Sequence, residues 1–299
     1  MALASRDIEF YRENGYLAPL PALTVAEAGV ARLQLETLMR ATDGLRDPAA
    51  RHKPHLLTKW VSDLVRHPGI LDAVESLLGP NLLVWRAVFF VKPGHTPDFV
   101  AWHQDSAYWR LEPDDVLTAW VALTPSTAEN GCLRVAPGSH LHPAVPHSVR
   151  FSEHNLLVRG QAAAESVPDE SARNLELAAG EMSLHHVRML HGSGPNATGE
   201  TRVGLAIRYI ATRVRWSGRR QSASLVRGVD AFGHFDLEPE PRFDRDPAAL
   251  SWHRRSRRRY AAELLAETLR HPTRATLRSA MRLLARPGRL VRAIRSVWK

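Results

Sequence analysis

Apolar residues recur at helical spacing in the first third of the chain and predict three helices. The predicted helices cover residues 5–14, 24–39 and 62–78. Thr24 and Glu27 have the spacing of a capping box, which predicts the start of the second helix. Pro68 predicts a fresh helix start within the third segment, and Gly79 followed by Pro80 predicts its end.

From residue 81 onward the pattern changes to short runs rich in aromatic and β-branched residues, which predict strands. These runs cover residues 82–91, 116–123, 131–136, 176–177, 182–186 and 203–212. Clusters of Pro, Gly, Asn and Ser separate them, an order that is typical of a β-sandwich or barrel. Residues 140–171 are irregular, and we expect them to form an insertion over the mouth of the core. After residue 213 we expect loops and helices, so the predicted fold is mainly β with flanking helices.

The net charge of +9 is unevenly distributed along the 299 residues. Residues 251–299 carry fourteen Arg and Lys against two Glu, a net charge of +12, which leaves −3 for residues 1–250. A nearly neutral body disfavours an enzyme that acts on nucleic acid. We therefore predict one large domain over residues 1–250, with its β core at about 81–212, and a basic amphipathic helical tail over residues 251–299.

Two interpretations of this tail stay open. Its arginines recur every four residues beside an apolar stripe, which would suit an anionic membrane surface or an acidic protein partner. Alternatively, the apolar residues dock on the body. The chain has no run of about 18 apolar residues that would predict a membrane span, its N-terminus lacks the pattern of a signal peptide, and Cys132 is its one cysteine. We expect a cytoplasmic protein.

The first candidate metal ligands are a His and an Asp two positions apart, His103 and Asp105. On an extended strand, residues i and i+2 point to the same face, so both side chains would reach one ion. A third ligand has to come from a distant segment, and His191 is the candidate. Two imidazoles and one carboxylate on one face of an octahedron leave three open positions, which suits the iron(II) of oxygenases. A zinc hydrolase with the same donor set is the alternative, as is a structural role for His103.

Arg202 follows His191 by eleven residues, across a stretch of turn-forming Gly, Pro and Asn. The spacing predicts a hairpin, with the histidine at the end of one strand and the arginine at the start of the next. A guanidinium grips a carboxylate bidentately, so Arg202 would hold the distal carboxylate of a 2-oxoglutarate whose other end chelates the iron. Arg208 shares the strand parity of Arg202 and is the rival for this role. A solvated surface position for Arg202 is the remaining interpretation.

Several motifs in this order carry a family resemblance. They are HQD at residues 103–105, GCLRVAPGSH at 131–140 and GEMSLHHVRMLHGSGPN at 180–196, followed by Arg202. Together, over about residues 8–212, they resemble the phytanoyl-CoA dioxygenase superfamily of 2-oxoglutarate oxygenases. The resemblance implies a double-stranded β-helix (jelly-roll, cupin-like) core with N-terminal helices around it.

The resemblance also implies the cofactors and their sites. Iron(II) would be held by His103, Asp105 and His191. 2-Oxoglutarate and O₂ would be co-substrates, with Arg202, Ser193 and Trp120 at 2-oxoglutarate. The related halogenases have Ala or Gly at the position of Asp105, so the carboxylate here favours hydroxylation, or a related oxidation such as desaturation, with release of succinate and CO₂.

The substrate is expected to be a small metabolite. The segments from KPHLLTKW to FFVKPG and WHQDSAYW resemble a subgroup near the aminoalkylphosphonate hydroxylases. Positive side chains in these segments would suit such an anionic substrate: Lys53, His55, Lys59, Arg86 and Lys92. Further candidates for the substrate pocket or for supporting the ligands are Gln104, Tyr108 and His186. The alternatives are a tailoring oxygenase of natural-product biosynthesis and, in another class, a non-catalytic binding protein on the same fold.

Overall fold

The fold was examined in a computed structural model, which describes residues 2–41, 52–149, 152, 154–157, 160–164, 167–218 and 220–270. Its helices are α1 (Ser5–Asn14), α2 (Val25–Ala41), α3 (Lys59–Leu64), α4 (Pro68–Leu78), α5 (Ser106–Trp109) and α6 (Pro247–Arg270). The capping box at the start of α2 is present: the Thr24 hydroxyl accepts from the Glu27 backbone N–H at 3.2 Å, and the Glu27 carboxylate accepts from the Thr24 N–H at 2.7 Å. The predicted break at Pro68 separates α3 from α4.

Fifteen strands are described. In chain order they are β1 (Tyr16–Pro21), β2 (Leu82–Lys92), β3 (Val100–His103), β4 (Leu111–Glu112), β5 (Val116–Ala122), β6 (Leu133–Val135), β7 (His147–Val149), β8 (Gln161–Ala163), β9 (Arg173–Leu175), β10 (Glu181–His186), β11 (His191–Ser193), β12 (Arg202–Ala211), β13 (Arg215–Trp216), β14 (Ser222–Arg227) and β15 (Asp236–Leu237). A major sheet has the order β1-β10-β5-β12-β2-β14-β15, and a minor sheet has the order β3-β11-β6-β9. The predicted jelly-roll core with flanking helices is confirmed.

The two faces of the major sheet differ in chemistry, as strand β12 shows. Leu205, Ile207 and Tyr209 belong to the main hydrophobic core, whereas Arg202 and Arg208 line a cavity on the other side. This alternation follows from the two-residue period of a strand. Both faces of β12 are covered, since nearly every residue in it is buried.

The main hydrophobic core lies between the major sheet and the N-terminal helices. Helices α1 to α4 contribute side chains such as Tyr11, Leu35 and Val74 to the same cluster as the outward-facing strand residues. Tyr209 is fully buried there, and its hydroxyl donates to the Val65 carbonyl at 2.9 Å. Each such buried side chain stabilises the fold by roughly 1.5–3 kcal/mol. The helices therefore hold the outer face, and the inner face stays available for a site.

Several predictions for the β region differ from the structure. The segment after residue 213 forms β14, which joins the major sheet beside β2, where we expected only loops and helices. The strand expected at residues 176–177 lies earlier, at Arg173–Leu175. The N-terminal strand β1 pairs with β10 but was not predicted. Residues 140–171 hold the β7–β8 pair, and Leu157 from this segment lines the cavity.

The start of the predicted tail packs against the body. His253 and Ala261 of α6 are buried, and the ring of Tyr260 stacks on His52 with ring centroids 5.3 Å apart. The boundary at residue 250 remains a prediction. The rest of the predicted tail, residues 271–299, lies outside the described residues. Among the helices described, none combines the length and the apolar character needed to cross a membrane.

Candidate metal centre

Three of the predicted site residues meet at one point between the two sheets. Strand β11 pairs with β3 so that His191 lies opposite His103, and the centroids of their rings are 4.1 Å apart. The Nε2 atom of His103 lies 3.4 Å from Oδ1 of Asp105. One ligand atom from each of the three residues lies within 4.8 Å of the others, and all three side chains are buried.

Both imidazoles are oriented by the same local contact. Nδ1 of His103 bonds to the Ala101 carbonyl at 2.9 Å, and Nδ1 of His191 bonds to the Met189 carbonyl at 2.9 Å. A carbonyl only accepts, so each Nδ1 carries the proton and each Nε2 keeps its lone pair. These backbone contacts are the kind that fix the ring of a metal-binding histidine.

The charges around the three residues also suit a cation. Burial, reinforced by His103, holds the pKa of His191 well below its ordinary value, so this imidazole is neutral. Burial by itself would raise the pKa of Asp105, but its polar surroundings, His103, His191 and Arg208, lower it to about 2. Neutral imidazoles and an ionised carboxylate are the forms that bind metal ions.

The backbone brings Asp105 into place by a different route from the one predicted. Strand β3 ends at His103, and Asp105 has the helical angles φ −62° and ψ −37° at the start of α5. Between them, the side-chain amide of Gln104 donates to the Arg188 carbonyl at 2.7 Å and accepts from the Val145 N–H at 3.0 Å. Gln104 thus anchors a turn, and the i, i+2 strand geometry does not apply.

A cationic group lies at one end of the cavity, where β12 begins. Arg202 is 2 % exposed, and its guanidinium carbon lies 5.0 Å from the centroid of the Trp120 ring. In the part of the chain that the structure describes, it has no ion-pair partner and its buried Nε has no acceptor. Burial lowers the pKa of Arg202 to about 10, so it stays charged at neutral pH.

Lys92 is the cross-strand neighbour of Arg202 and is also fully buried. Its ammonium group donates to the Ser193 hydroxyl at 2.6 Å and to the carbonyls of Gly131 and Gly194. All three acceptors are neutral. Burial, with a further contribution from Arg202, lowers the pKa of Lys92 to about 7. Two buried cationic side chains therefore lie side by side without a described carboxylate between them.

The predicted hairpin between His191 and Arg202 does not form. Strand β11 belongs to the minor sheet and β12 to the major sheet, so the intervening residues cross from one sheet to the other. The histidine and the arginine still face one cavity, together with Ser193 and Trp120. Arg208 also lines this cavity, six residues further along β12.

His185 lines the cavity as well and was missing from the predicted site. Its ring lies 4.7 Å from that of His191, and its buried Nδ1 has no described partner. The predicted His186 lies on the opposite side of β10, where its ring is 5.3 Å from His140. Met182 and Leu184 are core residues of the same strand. Their alternation with polar residues was the signal that could have identified His185.

The remaining predicted residues are spread over different environments. Lys59 lies on the surface, paired with Asp63 and Glu240. His55 is fully buried, with Nε2 3.6 Å from a Glu238 carboxylate that also binds Lys53.

Two other predicted residues lie among aromatic rings. Tyr108 packs edge-on against His147, with ring centroids 5.5 Å apart. The guanidinium of Arg86 lies between the rings of Trp85 and Tyr260.

A jelly roll that gathers two histidines and a carboxylate beside a buried arginine has the architecture of the facial-triad metalloproteins. Comparisons with known proteins identify the family to which the chain belongs. The profile described as phytanoyl-CoA dioxygenase (PhyH) matches residues 11–204. The chain belongs to this family.

Individual relatives show what the chain resembles. It is 34 % identical over 160 residues to a probable alpha-ketoglutarate-dependent hypophosphite dioxygenase of Stutzerimonas stutzeri, covering 53 % of this chain and 55 % of the relative. It is 30 % identical to the L-proline trans-4-hydroxylase of Streptomyces griseoviridis, covering 67 % and 83 %. Among solved structures, the apo non-heme monooxygenase ThoJ is 40 % identical, with a TM-score of 0.76, covering 83 % of this chain and 94 % of that one. The chain spans about half to two thirds of the length of most curated relatives it matches.

Proposed function

We propose that this protein is an Fe(II)- and 2-oxoglutarate-dependent oxygenase that hydroxylates, or otherwise oxidises, a C–H bond of a small anionic molecule. One observation carries the proposal. The metal-binding triad and the buried Arg202 line one cavity, and Lys92, the cross-strand neighbour of Arg202, is buried beside it; neither cationic side chain has a described counter-ion.

The triad fits an iron ion. His103, Asp105 and His191 would hold it through Nε2, a carboxylate oxygen and Nε2, because the Nδ1 atoms are occupied by backbone carbonyls. A set of two histidines and one carboxylate leaves three coordination positions open. Iron bound there would supply the oxidation, with O₂ and 2-oxoglutarate converted to succinate, CO₂ and an oxygen atom for the substrate. The presence of Asp105 favours hydroxylation over halogenation.

The cationic end of the cavity fits 2-oxoglutarate, which carries a carboxylate at each end. Arg202 would grip the distal carboxylate with two parallel hydrogen bonds, and Trp120 holds the guanidinium from one face. Ser193 would donate to the same carboxylate, oriented by Lys92. A buried ion without a partner costs several kcal/mol, so an arriving carboxylate removes a penalty that the folded protein otherwise bears.

Arg202 fits this role better than Arg208 does. Arg202 is buried, whereas Arg208 is half-buried. A co-substrate that binds before the substrate belongs at the more deeply buried of the two cations. Arg208 is then left for another ligand.

A small anionic substrate is the finer part of the proposal. The names of the relatives refer to hypophosphite and L-proline, both of which carry an oxyanion. Arg86 and Arg208 occupy neighbouring strands on the cavity-facing side of the major sheet. An aminoalkylphosphonate remains our first candidate, and an intermediate of natural-product biosynthesis is the alternative.

The test is formation of succinate from 2-oxoglutarate by purified protein with Fe(II), in air, across a panel of phosphonates and amino acids. Succinate that depends on Fe(II), that Zn(II) does not support, and that increases with one panel member would support the proposal. Arg202→Met should raise the concentration of 2-oxoglutarate required far more than Arg208→Met does. Absence of any Fe(II)-dependent succinate would exclude the oxygenase and favour the hydrolase or binding-protein alternatives.

A further inference from the structure

The cavity-facing row of strand β12 has a distinctive order of residues. Arg202, Gly204, Ala206 and Arg208 alternate with the core residues, so two arginines flank two small residues. At about 3.3 Å per residue, the α-carbons of the two arginines are roughly 20 Å apart. Gly204 leaves room for the Trp120 ring, since a Cβ atom there would lie 2.0 Å from the ring, and Ala206 lines the cavity. The row therefore has a cationic group at each end and two small residues between, with the Trp120 ring over the first of them.

Arg208 is held in place without being neutralised. Its guanidinium carbon lies 4.6 Å from the centroid of the Trp109 ring, in the short helix that follows Asp105. No hydrogen bond from its guanidinium and no carboxylate within 4.0 Å is found among the residues that the structure describes, and its Nε is buried without an acceptor. Buried polar atoms in proteins nearly always have a partner, so a missing one points to a ligand.

Thr118 provides a second, independent donor at the same place. It lies directly opposite Arg208 on strand β5, and its buried hydroxyl likewise has no partner in the described part of the chain. Both side chains line the cavity that contains the metal-binding triad. On the other side of Arg208, strand β2 places Arg86 in register with it. The positive charge of Arg86 acts on Arg208 and adds to the positive potential at this point of the sheet.

We propose that Arg208 and Thr118 form the docking point for an oxyanion group of the substrate, with Arg86 adding positive charge. The inference rests on the proposed function and deepens it, since it assigns the second arginine of the cavity to the substrate. The ligand group is a carboxylate, a phosphonate or a phosphate, because each presents two oxygens to a guanidinium fork. The Thr118 hydroxyl would donate to a third oxygen of a phosphonate or phosphate, or to a second lone pair of a carboxylate oxygen. The substrate would then span from this point to the metal, with its oxidised carbon at a fixed distance from its anionic group.

A purely structural role for Arg208 makes a different prediction. If the guanidinium served only to pack against Trp109, substitution would change stability and leave ligand binding alone. If it served as the counter-ion of Asp105, metal binding would change first. No ion pair within 4.0 Å joins the two side chains, although Asp105 is near enough to oppose the lowering of the Arg208 pKa by burial.

The experiment measures binding rather than turnover. Protein saturated with Ni(II) and 2-oxoglutarate is titrated calorimetrically with methylphosphonate, with propanoate and, as a charge control, with propylammonium. Arg208→Gln and Thr118→Val are compared with wild type and with Arg213→Gln, which removes a surface arginine paired with Asp115. We expect at least one of the two anions to bind wild type, and to bind at least about tenfold more weakly to Arg208→Gln. Thr118→Val should weaken it less, Arg213→Gln should not, and propylammonium should not bind.

The outcomes separate this inference from the function it rests on. Failure of 2-oxoglutarate itself to bind would count against the proposed function. The titrations are therefore repeated without 2-oxoglutarate in an Arg202→Met background, where Arg208 is the remaining arginine of the β12 row. Equal anion binding with and without the Arg208→Gln change, or no binding of either anion, would overturn the inference. Arg208→Lys, which keeps the charge but loses the fork, should bind with intermediate affinity, and thermal unfolding of each variant shows whether it is folded.

Discussion

Lys92 offers the sharpest test of the idea that buried cationic side chains in this protein lack counter-ions until an anionic ligand binds. It is fully buried, it donates only to neutral acceptors, and burial together with Arg202 lowers its pKa from 10.5 to about 7. Each pKa unit corresponds to about 1.4 kcal/mol, so keeping this lysine protonated costs the folded protein about 5 kcal/mol. Lys92→Met removes that cost.

The sign of the pH dependence follows from proton counting. Between about pH 7 and about pH 10.5 the unfolded chain binds a proton at Lys92 that the folded protein has released, so the free energy of unfolding rises with pH. Below about pH 7 both states are protonated and the full cost is present. Of the cost of about 5 kcal/mol for a protonated Lys92 in the folded protein, about 3 kcal/mol is removed as the pH rises from about 6 to about 9. Wild type should therefore gain about 3 kcal/mol relative to Lys92→Met over this range.

The assay is urea unfolding of metal-free and 2-oxoglutarate-free protein at several pH values. The change in the free energy of unfolding with pH is compared between wild type and Lys92→Met, so that the contributions of the other titrating groups cancel. The three hydrogen bonds lost in the variant lower its stability equally at every pH and cancel as well. Lys59→Met is the matched control: Lys59 lies on the surface and its ion pair with Asp63 raises its pKa, so its contribution should not vary in this range. Equal pH dependence of wild type and Lys92→Met would refute the reasoning. With 2-oxoglutarate bound, the difference should largely disappear.

Three further substitutions test other parts of the site. Asp105→Ala should lower the affinity for Fe(II) by at least about 100-fold and abolish 2-oxoglutarate turnover, as measured by metal titration and succinate release, since even indirect supports of a metal are worth 10–100-fold. Arg202→Met should weaken 2-oxoglutarate binding by about 3 kcal/mol, roughly 100-fold, in a calorimetric titration. Gly204→Ala should cost about 1–3 kcal/mol of stability in urea unfolding and also weaken 2-oxoglutarate binding, because the new methyl group displaces the Trp120 ring.

Each of these has a contradicting result. Normal iron binding by Asp105→Ala with an unchanged circular dichroism spectrum would remove Asp105 from the ligand set. An unchanged 2-oxoglutarate affinity in Arg202→Met would move the clamp to Arg208. Wild-type stability of Gly204→Ala would show that Trp120 has room to move. Arg213→Met, at an exposed ion pair with Asp115, is the control for loss of an arginine as such.

Local signals in the sequence were sufficient for helices α1, α2 and α4 and for strands β2, β5, β10 and β12. Helix α1 and the start of α4 fall where predicted, because caps and Pro–Gly signals act within a few residues. Strands β1 and β14 were missed for the opposite reason. Strand β1 contains two prolines, which argue against a strand, and β14 reads SASLVR, which begins with small and polar residues. Their pairing with β10 and β2 depends on distant partners that no short window of sequence displays.

At the site, residue types could be predicted from the sequence, whereas the geometry that brings the residues together could not. The chemistry of His103, Asp105 and His191 suggested a metal site from type and spacing, yet Asp105 reaches it by a helical turn anchored by Gln104. His186 was chosen over His185 because the exact strand boundaries decide which of two adjacent residues faces inward. The alternation of Met182 and Leu184 with polar residues carries the parity of His185, whereas its place in the sheet depends on the pairing of β10 with β5.

Buried polar atoms without a described partner are concentrated on one surface of this protein. Five of them lie on the cavity-facing side of the adjacent strands β10, β5 and β12, on the side chains of Ser183, His185, Thr118, Arg202 and Arg208. The same strands turn their alternate residues into the main apolar core. An unsatisfied buried donor costs about 1–3 kcal/mol. The cavity-facing (inner) side of these strands therefore lowers the stability of the protein, whereas the core-facing (outer) side raises it. Substitutions on the outer face should therefore change stability without changing ligand preference, whereas apolar replacements on the inner face should stabilise the ligand-free protein and remove binding. This division locates the choice of ligand in a few inner-face residues and leaves the outer face free to maintain the fold.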